Sequence, residues 1–204
     1  EHGVEKFHYQ LQKLGMSTLT HDARHYGLSI ILGGAEATLW ELTGIYASLS
    51  RTLNHYPVFK GDEFKPPSLT PNPSPKGEGN LSAHKTSPVN AGAIYLTYEA
   101  MAEVNRPDAE AGWKAFASSR FIAWKTGTSF GFRDGWAIGT TPEYVGGVWI
   151  GNADGEGRPG LTGISAAAPL MFDVFSVLPA GKKFLPPYDE LEKVASEMAR
   201  ILKP

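Results

Sequence analysis

The five residues from Lys125 to Ser129 combine a cation, hydroxyl groups and a glycine at adjacent positions. If they form a β-strand, alternation places the Thr126 and Thr128 side chains on one face, where both hydroxyls can donate to a carboxylate. Lys125 supplies positive charge, and Gly127 has no side chain to stop an extended peptide from pairing along the strand edge. The Thr128 N–H can stabilise an oxyanion, a role worth about 3 kcal/mol per donor. These residue types indicate recognition of a free peptide carboxylate.

The Lys-Thr-Gly triplet also has simpler interpretations, because short motifs occur by chance. In one of them, Lys125 is a solvated strand lysine and the threonines are ordinary strand residues. In another, the Lys-Thr pair belongs to a phosphate-binding loop, but that loop requires glycine before the lysine and Trp124 stands there. The phosphate-binding interpretation is excluded, so the surrounding elements must decide.

Two amphipathic helices are predicted in the first third of the chain. Apolar residues follow helical spacing along the first helix: Val4, Phe7, Leu11 and Leu14. Gly15 follows as a C-terminal cap. The second helix begins with the capping-box pattern from Thr38 to Glu41, and its apolar stripe continues to Leu53. Between the two helices, an apolar stretch from Leu28 to Leu32 ends in a glycine turn.

Composition changes over residues 66–88, where six of the fifteen prolines lie among Ser, Asn, Lys and Gly. Such a segment is typical of a surface linker or insertion. Ser87 and Pro88 then predict the start of a third helix, which ends before Asn105-Arg106-Pro107. Apolar residues at helical spacing line one face of this predicted helix: Val89, Ala93, Leu96, Ala100 and Val104.

The second half of the chain predicts three strands, over 121–129, 135–140 and 144–150. A tight connection joins the last two, so the strands form an antiparallel meander that the Lys-Thr-Gly triplet opens. A helix is predicted near Pro169 and a charged, peripheral helix over 191–202. Helices followed by a meander and more helices predict an α+β fold, with an antiparallel sheet of about three strands covered by helices.

The segments around the triplet resemble a known family. Lys125-Thr126-Gly127 matches the lysine motif that penicillin-binding proteins and serine β-lactamases carry on a strand beside the active site. Further segments resemble class A, bifunctional penicillin-binding proteins: 26–29, 32–36, 38–47, 132–139 and 146–152. The resemblance covers most of residues 1–178, with 66–88 as an insertion, and leaves 179–204 as a C-terminal extension.

This resemblance implies a partial serine β-lactamase and transpeptidase fold. It also implies that the whole protein is a D,D-transpeptidase, which cross-links peptidoglycan stem peptides through an acyl-serine intermediate and binds β-lactams. Its place would be the periplasmic face of the bacterial inner membrane. Lys125 would support proton transfer and carboxylate recognition, Thr126 and Thr128 would bind the carboxylate, and Gly127 would admit substrate. Ser129 completes the implied substrate-binding stretch.

Two motifs of the family pattern are missing upstream of the lysine strand. No Ser-x-Asn tripeptide occurs in the chain. The one formal Ser-x-x-Lys match, Ser82 to Lys85, trails the proline-rich segment, whereas a nucleophile motif must open a buried helix. We therefore expect the C-terminal part of a transpeptidase domain that forms no acyl-enzyme alone and associates with itself through exposed core.

Composition argues against several other classes of function. The 19 basic and 21 acidic residues give a net charge of −2, which offers no electrostatic footprint for nucleic acid. The absence of cysteine excludes thiolate ligands, and no Glu lies between His21 and His25 as a zincin helix requires. We expect no metal and no cofactor. The chain has no apolar run of about 18 residues, so membrane association is expected only through an N-terminal anchor of the whole protein.

Two other functions stay open at this point. A non-catalytic binding module would use the same strand to recognise peptidoglycan peptides or a protein partner. A β-lactamase-like hydrolase would share the lysine motif but release its acyl group to water. Nothing in the chain resembles a deacylating glutamate motif, so the hydrolase ranks last.

Overall fold

The structure, a computed structural model, describes residues 3–56, 87–104 and 120–201. The Ser82–Lys85 match and all but the last two residues of the 66–88 segment lie outside these ranges.

The N-terminal region consists of short helical segments. Helix α1 spans Val4–Leu14 and ends at Gly15, whose φ of 115° confirms the predicted glycine cap. Helix α2 spans Ala23–Tyr26 and is capped by the Asp22 side chain, and a 3-10 helix follows over Gly27–Leu32. These segments share a small apolar cluster with the next helix, whose buried members are Met16, Leu19, Tyr26, Ile30 and Ile45.

Helix α3 spans Leu39–His55 and confirms the predicted capping box. The Thr38 hydroxyl accepts from the Glu41 N–H at 3.1 Å, and the Glu41 carboxylate accepts from the Thr38 N–H at 3.0 Å. The same carboxylate accepts from the N–H and hydroxyl of Ser17, at 2.8 and 2.5 Å. Glu41 therefore caps the start of α3 and also binds the segment after α1 to this helix end.

Helix α4 spans Ala91–Ala102, and the Asn90 side chain caps it by accepting from the Ala93 N–H. The helix thus begins three residues after the predicted start at Pro88. The predicted face is also wrong, since Leu96 is exposed. The buried residues are instead Ala91, Gly92, Ile94, Tyr98 and Ala102. Apolar residues surround most of this helix, so spacing alone does not select the face on which its larger side chains pack.

The three predicted strands form one antiparallel sheet in the order β1-β2-β3, which confirms the meander. Strand β1 spans Ala123–Thr128, β2 spans Asp134–Thr140 and β3 spans Val145–Gly151. Thr128 lies opposite Gly135 in the first pair, and Asp134 lies opposite Gly151 in the second.

Helix α5, which spans Ala168–Val177, covers one face of the sheet together with the π-helical turn Gly163–Ala167. The buried residues of this layer are Ile122, Trp124, Ala137, Ala167, Ala168, Met171, Phe172 and Phe175. Bare strand backbone lets the helix approach closely. A Cβ at Gly139 would come within 2.8 Å of the Phe175 ring.

On the opposite face, α3 lies over β3 and β2, and α4 lies over β1. A buried hydroxyl network joins α3, α4 and β2. The Ser50 Oγ lies 2.7 Å from the Thr140 Oγ1 and 3.2 Å from the Tyr98 hydroxyl, which donates to the Tyr46 carbonyl at 3.1 Å. Helix α6, over Tyr188–Ile201, packs beside α4.

The architecture is therefore α+β, with a three-stranded antiparallel sheet between helices, as predicted. Across the described ranges, no helix combines the length and the apolar character that a membrane crossing needs.

Candidate functional site

The stretch from Lys125 to Thr128 forms the second half of β1, as predicted. Within the described residues, β1 pairs only with β2, so its other edge is open. Lys125, Gly127 and Thr128 are exposed, in contrast to the fully buried Trp124. The strand thus passes from the core into an accessible edge at the point where the chemistry-bearing residues begin.

The backbone of this edge has unpaired groups at alternate residues. The Ser129 N–H donates to the Asp134 carbonyl at 3.0 Å, which makes these two residues a hydrogen-bonded pair. Hydrogen-bonded pairs alternate along antiparallel strands with pairs that are not hydrogen-bonded. Thr128 and Thr126 therefore belong to pairs that are not hydrogen-bonded. Their N–H and C=O groups consequently point away from β2, toward the open edge.

The two threonine side chains share the face that α5 covers. The Thr128 Oγ1 accepts a hydrogen bond from the Gly163 N–H at 2.9 Å. This contact uses one lone pair of the hydroxyl and leaves its hydrogen available to a ligand. The Thr126 hydroxyl has no hydrogen-bond partner among the residues that the structure describes. Both hydroxyls can therefore donate outward.

Lys125 lies on the opposite face of the strand from the two threonines, as alternation requires. Its ammonium nevertheless reaches the open edge, because Nζ donates to the outward Thr126 carbonyl at 2.6 Å. The structure thus brings the cation and the hydroxyls to one edge but from opposite sides. A carboxylate that contacts both must lie beside the strand and not on either face.

Gly127 lies opposite Trp136 on β2. A Cβ added at Gly127 would lie 3.6 Å from the Trp136 Cβ, which is ordinary van der Waals contact. Internal packing therefore does not require a glycine at this position, and the space beside it is free for a ligand.

Ser129 lies just beyond β1, in the turn to β2. Its hydroxyl accepts from the Asp134 N–H at 2.8 Å, and its own N–H donates to the Asp134 carbonyl. The structure therefore places Ser129 in the closure of the hairpin, apart from the open edge that Thr126 and Thr128 line.

Gly163 is a supporting residue that the sequence did not single out. Besides its hydrogen bond to Thr128, it lies so close to the sheet that an added Cβ would come 2.5 Å from the Trp136 carbonyl oxygen. A capping box between Thr162 and Ser165 fixes the turn that carries it. In the sequence, the Thr-x-x-Ser spacing from Thr162 to Ser165 predicts a helix start but not the contact between Gly163 and Thr128.

The turn after β1 carries unusual backbone and an exposed ring. Phe132 has a φ of 57°, a conformation that bulky residues rarely adopt, and its carbonyl accepts from the Arg158 N–H at 3.1 Å. The neighbouring Phe130 is 96% exposed. The loop over 152–162 thus holds this turn in place at one end of the open edge.

The described residues supply no nucleophile to Lys125. The hydrogen bond of its ammonium goes to a backbone carbonyl, and no serine hydroxyl within these ranges bonds to it. They also contain no group of three or more His, Asp or Glu side chains arranged to hold a metal ion. His21 and His25 stack their rings with centroids 4.1 Å apart, at a distance from the sheet in sequence and in packing.

Comparisons with known proteins give one informative match. Penicillin-binding protein 1C of Escherichia coli (strain K12) is 31% identical over 185 residues, which make up 91% of this chain and 21% of that protein. The chain therefore spans about a fifth of the length of the curated relative that it matches. No protein-family model and no solved structure matches the chain.

Proposed function

Because the chain matches part of a class A penicillin-binding protein of the 1C type, we propose that it takes part in peptidoglycan synthesis by forming one wall of a transpeptidase site. In this proposal, the edge of β1 binds the free carboxylate end of a stem peptide. β-Lactams occupy the same edge. The whole protein acts at the periplasmic face of the bacterial inner membrane.

The observation that carries this proposal is the open edge of β1. A peptide laid beside Thr126 and Thr128 meets outward N–H and C=O groups, which can form strand-type hydrogen bonds with it. The two hydroxyls donate to the terminal carboxylate, and the Lys125 ammonium adds its positive charge at the same edge. The Thr128 N–H then lies where it can stabilise an oxyanion on the adjacent carbonyl.

The proposed reaction needs a serine from another part of the protein. That serine oxygen attacks the carbonyl before the terminal D-Ala, expels this D-Ala and forms an acyl-serine, which an amine from a second stem peptide then attacks. Lys125 assists the proton transfers. We assign residues 1–178 to a partial transpeptidase fold, which the meander and the helices on both of its faces support, and 179–204 to a C-terminal extension.

Peptide binding to the isolated chain tests the carboxylate edge. We expect a peptide ending in D-Ala-D-Ala to shift the NMR amide signals of Thr126 and Thr128, whereas the same peptide with an amidated C-terminus leaves them in place. Lys125→Met should weaken binding about tenfold, since a charge-assisted contact contributes about 1.5 kcal/mol. The matched control Lys182→Met removes an exposed lysine in the segment after α5 and should bind normally. Equal affinity for both peptides contradicts the proposal.

Penicillin labelling tests the assignment of the nucleophile. Because the described residues place no serine hydroxyl on Lys125, we expect that the 204-residue chain is not stably labelled by a fluorescent penicillin. A covalent adduct detected by intact mass after denaturation would contradict this expectation, and peptide mapping would then identify the acylated serine.

A non-catalytic binding module is the second candidate, favoured by the same absence of a serine at Lys125 among the described residues. It would recognise a peptidoglycan peptide or a partner without chemistry. A Ser-x-x-Lys motif encoded upstream of residue 1 in the natural gene, together with penicillin labelling of the longer product, would favour the transpeptidase over the module.

A further inference from the structure

The π-helical turn Gly163–Ala167 begins directly against the proposed binding strand. Gly163 is buried, and a Cβ added to it would overlap the Gly127 carbonyl oxygen. The same Cβ would lie 2.5 Å from the Trp136 carbonyl oxygen and 3.0 Å from the Thr126 Cβ. Because no side chain fits at these distances, glycine is what lets the backbone of the turn reach the second half of β1.

This close approach gives the Gly163 N–H a partner on the strand. The turn continues into α5, so Gly163 is the first residue of a helical unit, and its N–H has no partner inside that unit. It donates instead to the Thr128 Oγ1 at 2.9 Å. The turn therefore holds the hydroxyl that is proposed to bind the peptide carboxylate.

The hydrogen bond from Gly163 restricts what the Thr128 hydroxyl can do. A threonine hydroxyl rotates about its C–O bond and can meet a ligand as a donor or as an acceptor. With the Gly163 N–H on one lone pair, the hydroxyl hydrogen cannot point toward the turn, and less accepting capacity is left for a ligand. A hydroxyl that accepts a hydrogen bond is also polarised and donates more strongly. The contact thus favours Thr128 as a donor to an anion.

Thr162 and Ser165 hold the turn in this position. Their hydroxyl oxygens lie 2.7 Å apart, and the Ser165 N–H donates to the Thr162 hydroxyl at 3.2 Å. The Ser165 hydroxyl also donates to the Gly160 carbonyl at 3.3 Å, which joins the preceding loop to the turn. The hydrogen bonds of Ser165 lie within residues 160–165, so its effect on β1 passes through the turn.

We propose that Gly163 is a positioning residue for carboxylate recognition and that Ser165 supports it by ordering the turn. The inference rests on the proposed function of the β1 edge and adds a source of its preference for a charged peptide end. A carboxylate offers only acceptors, which suit a hydroxyl that is held as a donor. A primary amide also presents N–H groups, for which Thr128 has less accepting capacity. The discrimination is thus set in part by residues outside the strand.

The hydrogen bond itself can be tested without any peptide. In the 204-residue chain, we expect Thr128→Val to move the NMR signal of the Gly163 amide proton upfield and to speed its hydrogen exchange several-fold. The reason is that valine has the shape of threonine but offers no acceptor. Thr128→Ser keeps the hydroxyl and should leave both quantities near their unaltered values. A Gly163 amide that is unchanged in Thr128→Val would overturn the inference.

Peptide titrations then test the consequence for binding. The measured quantity is the affinity for a D-Ala-D-Ala peptide with a free carboxylate, divided by the affinity for the same peptide with an amidated end. Ser165→Ala should lower this ratio about three- to tenfold, the range that one net hydrogen bond contributes. In a Thr128→Val background, the same substitution should leave the ratio unchanged, because the hydroxyl through which it acts is gone.

Two further variants serve as controls for Ser165→Ala. Ser165→Thr retains a hydroxyl at this position and should keep the preference for the free carboxylate. Ser176→Ala removes an exposed hydroxyl near the other end of α5, where it donates to the Asp173 carbonyl, and should bind both peptides like the unaltered chain.

The outcomes separate this inference from the proposed function. An unaltered chain that binds neither peptide, or both equally, contradicts the proposed function and the inference with it. A preference for the free carboxylate that survives Ser165→Ala at full strength supports the proposed function and overturns the inference alone. Equal losses with Thr128 and with Val at position 128 would show that Ser165 acts through general stability, which also overturns it. The peptide-free measurement decides the question even if Ser165→Ala does not fold.

Discussion

Gly127 and Gly139 lie on neighbouring strands in opposite surroundings, which allows a matched pair of substitutions. A Cβ at Gly127 meets Trp136 at an ordinary 3.6 Å, whereas one at Gly139 comes within 2.9 Å of both Phe175 and Met171. We expect Gly139→Ala to lower the free energy of unfolding by about 1–3 kcal/mol through overpacking, and Gly127→Ala to leave it nearly unchanged. Chemical unfolding followed by tryptophan fluorescence measures both.

Gly127→Ala should instead weaken binding of the D-Ala-D-Ala peptide several-fold, if the bare backbone serves to admit substrate. Unchanged peptide affinity in a stably folded Gly127→Ala protein would remove this glycine from the proposed site. Gly139→Ala, corrected for its unfolded fraction, serves as the comparison, because its methyl group points into the core away from the edge.

At the level of residues, the sequence could predict which side chains of β1 share a face, but not the contacts that hold these side chains in place. Alternation was enough to place Thr126 and Thr128 on one face, and the hydrogen-bond pattern agrees with this placement. It could not predict the Gly163 N–H that binds Thr128, because the contact joins residues 35 apart through a loop. Nor could it show that Ser129 belongs to the turn, since its partner Asp134 depends on where the hairpin closes.

Among the elements, α3 offers a prediction that depends on pH. Hydrogen bonds lower the pKa of Glu41 from its ordinary 4.5 to about 2. The hydrogen bond from Ser17 has the largest effect, and those from Thr38 and Thr18 add to it. A carboxyl group whose pKa is lower in the folded state stabilises the fold fully above its unfolded pKa, and this stabilisation is lost as pH falls through the folded pKa. Glu41→Gln should therefore be less stable than the unaltered chain at pH 7.

The difference between the two proteins should narrow from about pH 5 to about pH 2, where the carboxylate becomes protonated. Thermal unfolding midpoints at several pH values measure this directly. A difference that does not change over the acid range would show that Glu41 acts through shape or through the neutral capping bonds instead. Glu156→Gln, at an exposed loop position, controls for the general effect of losing one negative charge.

The helices also show where periodicity fails. It predicted α1 and α3 well, because each has a polar face that leaves one choice for the buried side. For α4 it selected the stripe that includes Leu96, whereas Ile94 and Tyr98 are the buried large residues. When a helix is apolar on nearly every side, the pattern of its sequence does not indicate which face is buried. The buried face is then decided by the neighbouring elements against which the larger side chains pack.

For the whole molecule, the buried hydroxyls of Ser50, Tyr98 and Thr140 join both covering helices to the sheet. Burial raises the pKa of Tyr98, so its phenol stays neutral and can keep donating to the Tyr46 carbonyl. We expect Tyr98→Phe to cost about 1–2 kcal/mol of unfolding free energy, because it removes the buried hydrogen bonds of the phenol with the Tyr46 carbonyl and the Ser50 hydroxyl. Tyr188→Phe, at a largely exposed tyrosine, should cost close to nothing.

A double-mutant cycle that combines Tyr98→Phe with Ser50→Ala tests whether the buried hydroxyls act as a network or as independent contacts. If the hydroxyls act together, the two substitutions should be coupled by at least about 0.5 kcal/mol. Strict additivity, measured by urea unfolding, would show that the two hydroxyls contribute independently. A Tyr98→Phe variant with no loss of stability would show that Tyr98 contributes through its ring alone, which packs against Phe184 with centroids 5.2 Å apart.

At this largest scale, the α+β class and the three-stranded meander followed from strand patterns and turn residues, and the structure confirms both. The resemblance to class A penicillin-binding proteins is confirmed by the match to penicillin-binding protein 1C over 91% of the chain. The predicted meander makes β1 and β3 the edges of the sheet, and both edges are open within the described residues.

The contact between the Lys125 ammonium and the Thr126 carbonyl, at 2.6 Å, makes the proposed peptide binding an exchange of hydrogen bonds. In the proposed complex, the ammonium moves from this carbonyl to the carboxylate of the peptide. A peptide with an amidated C-terminus offers the ammonium no anion in return, so we expect the exchange to favour peptides with a free carboxylate.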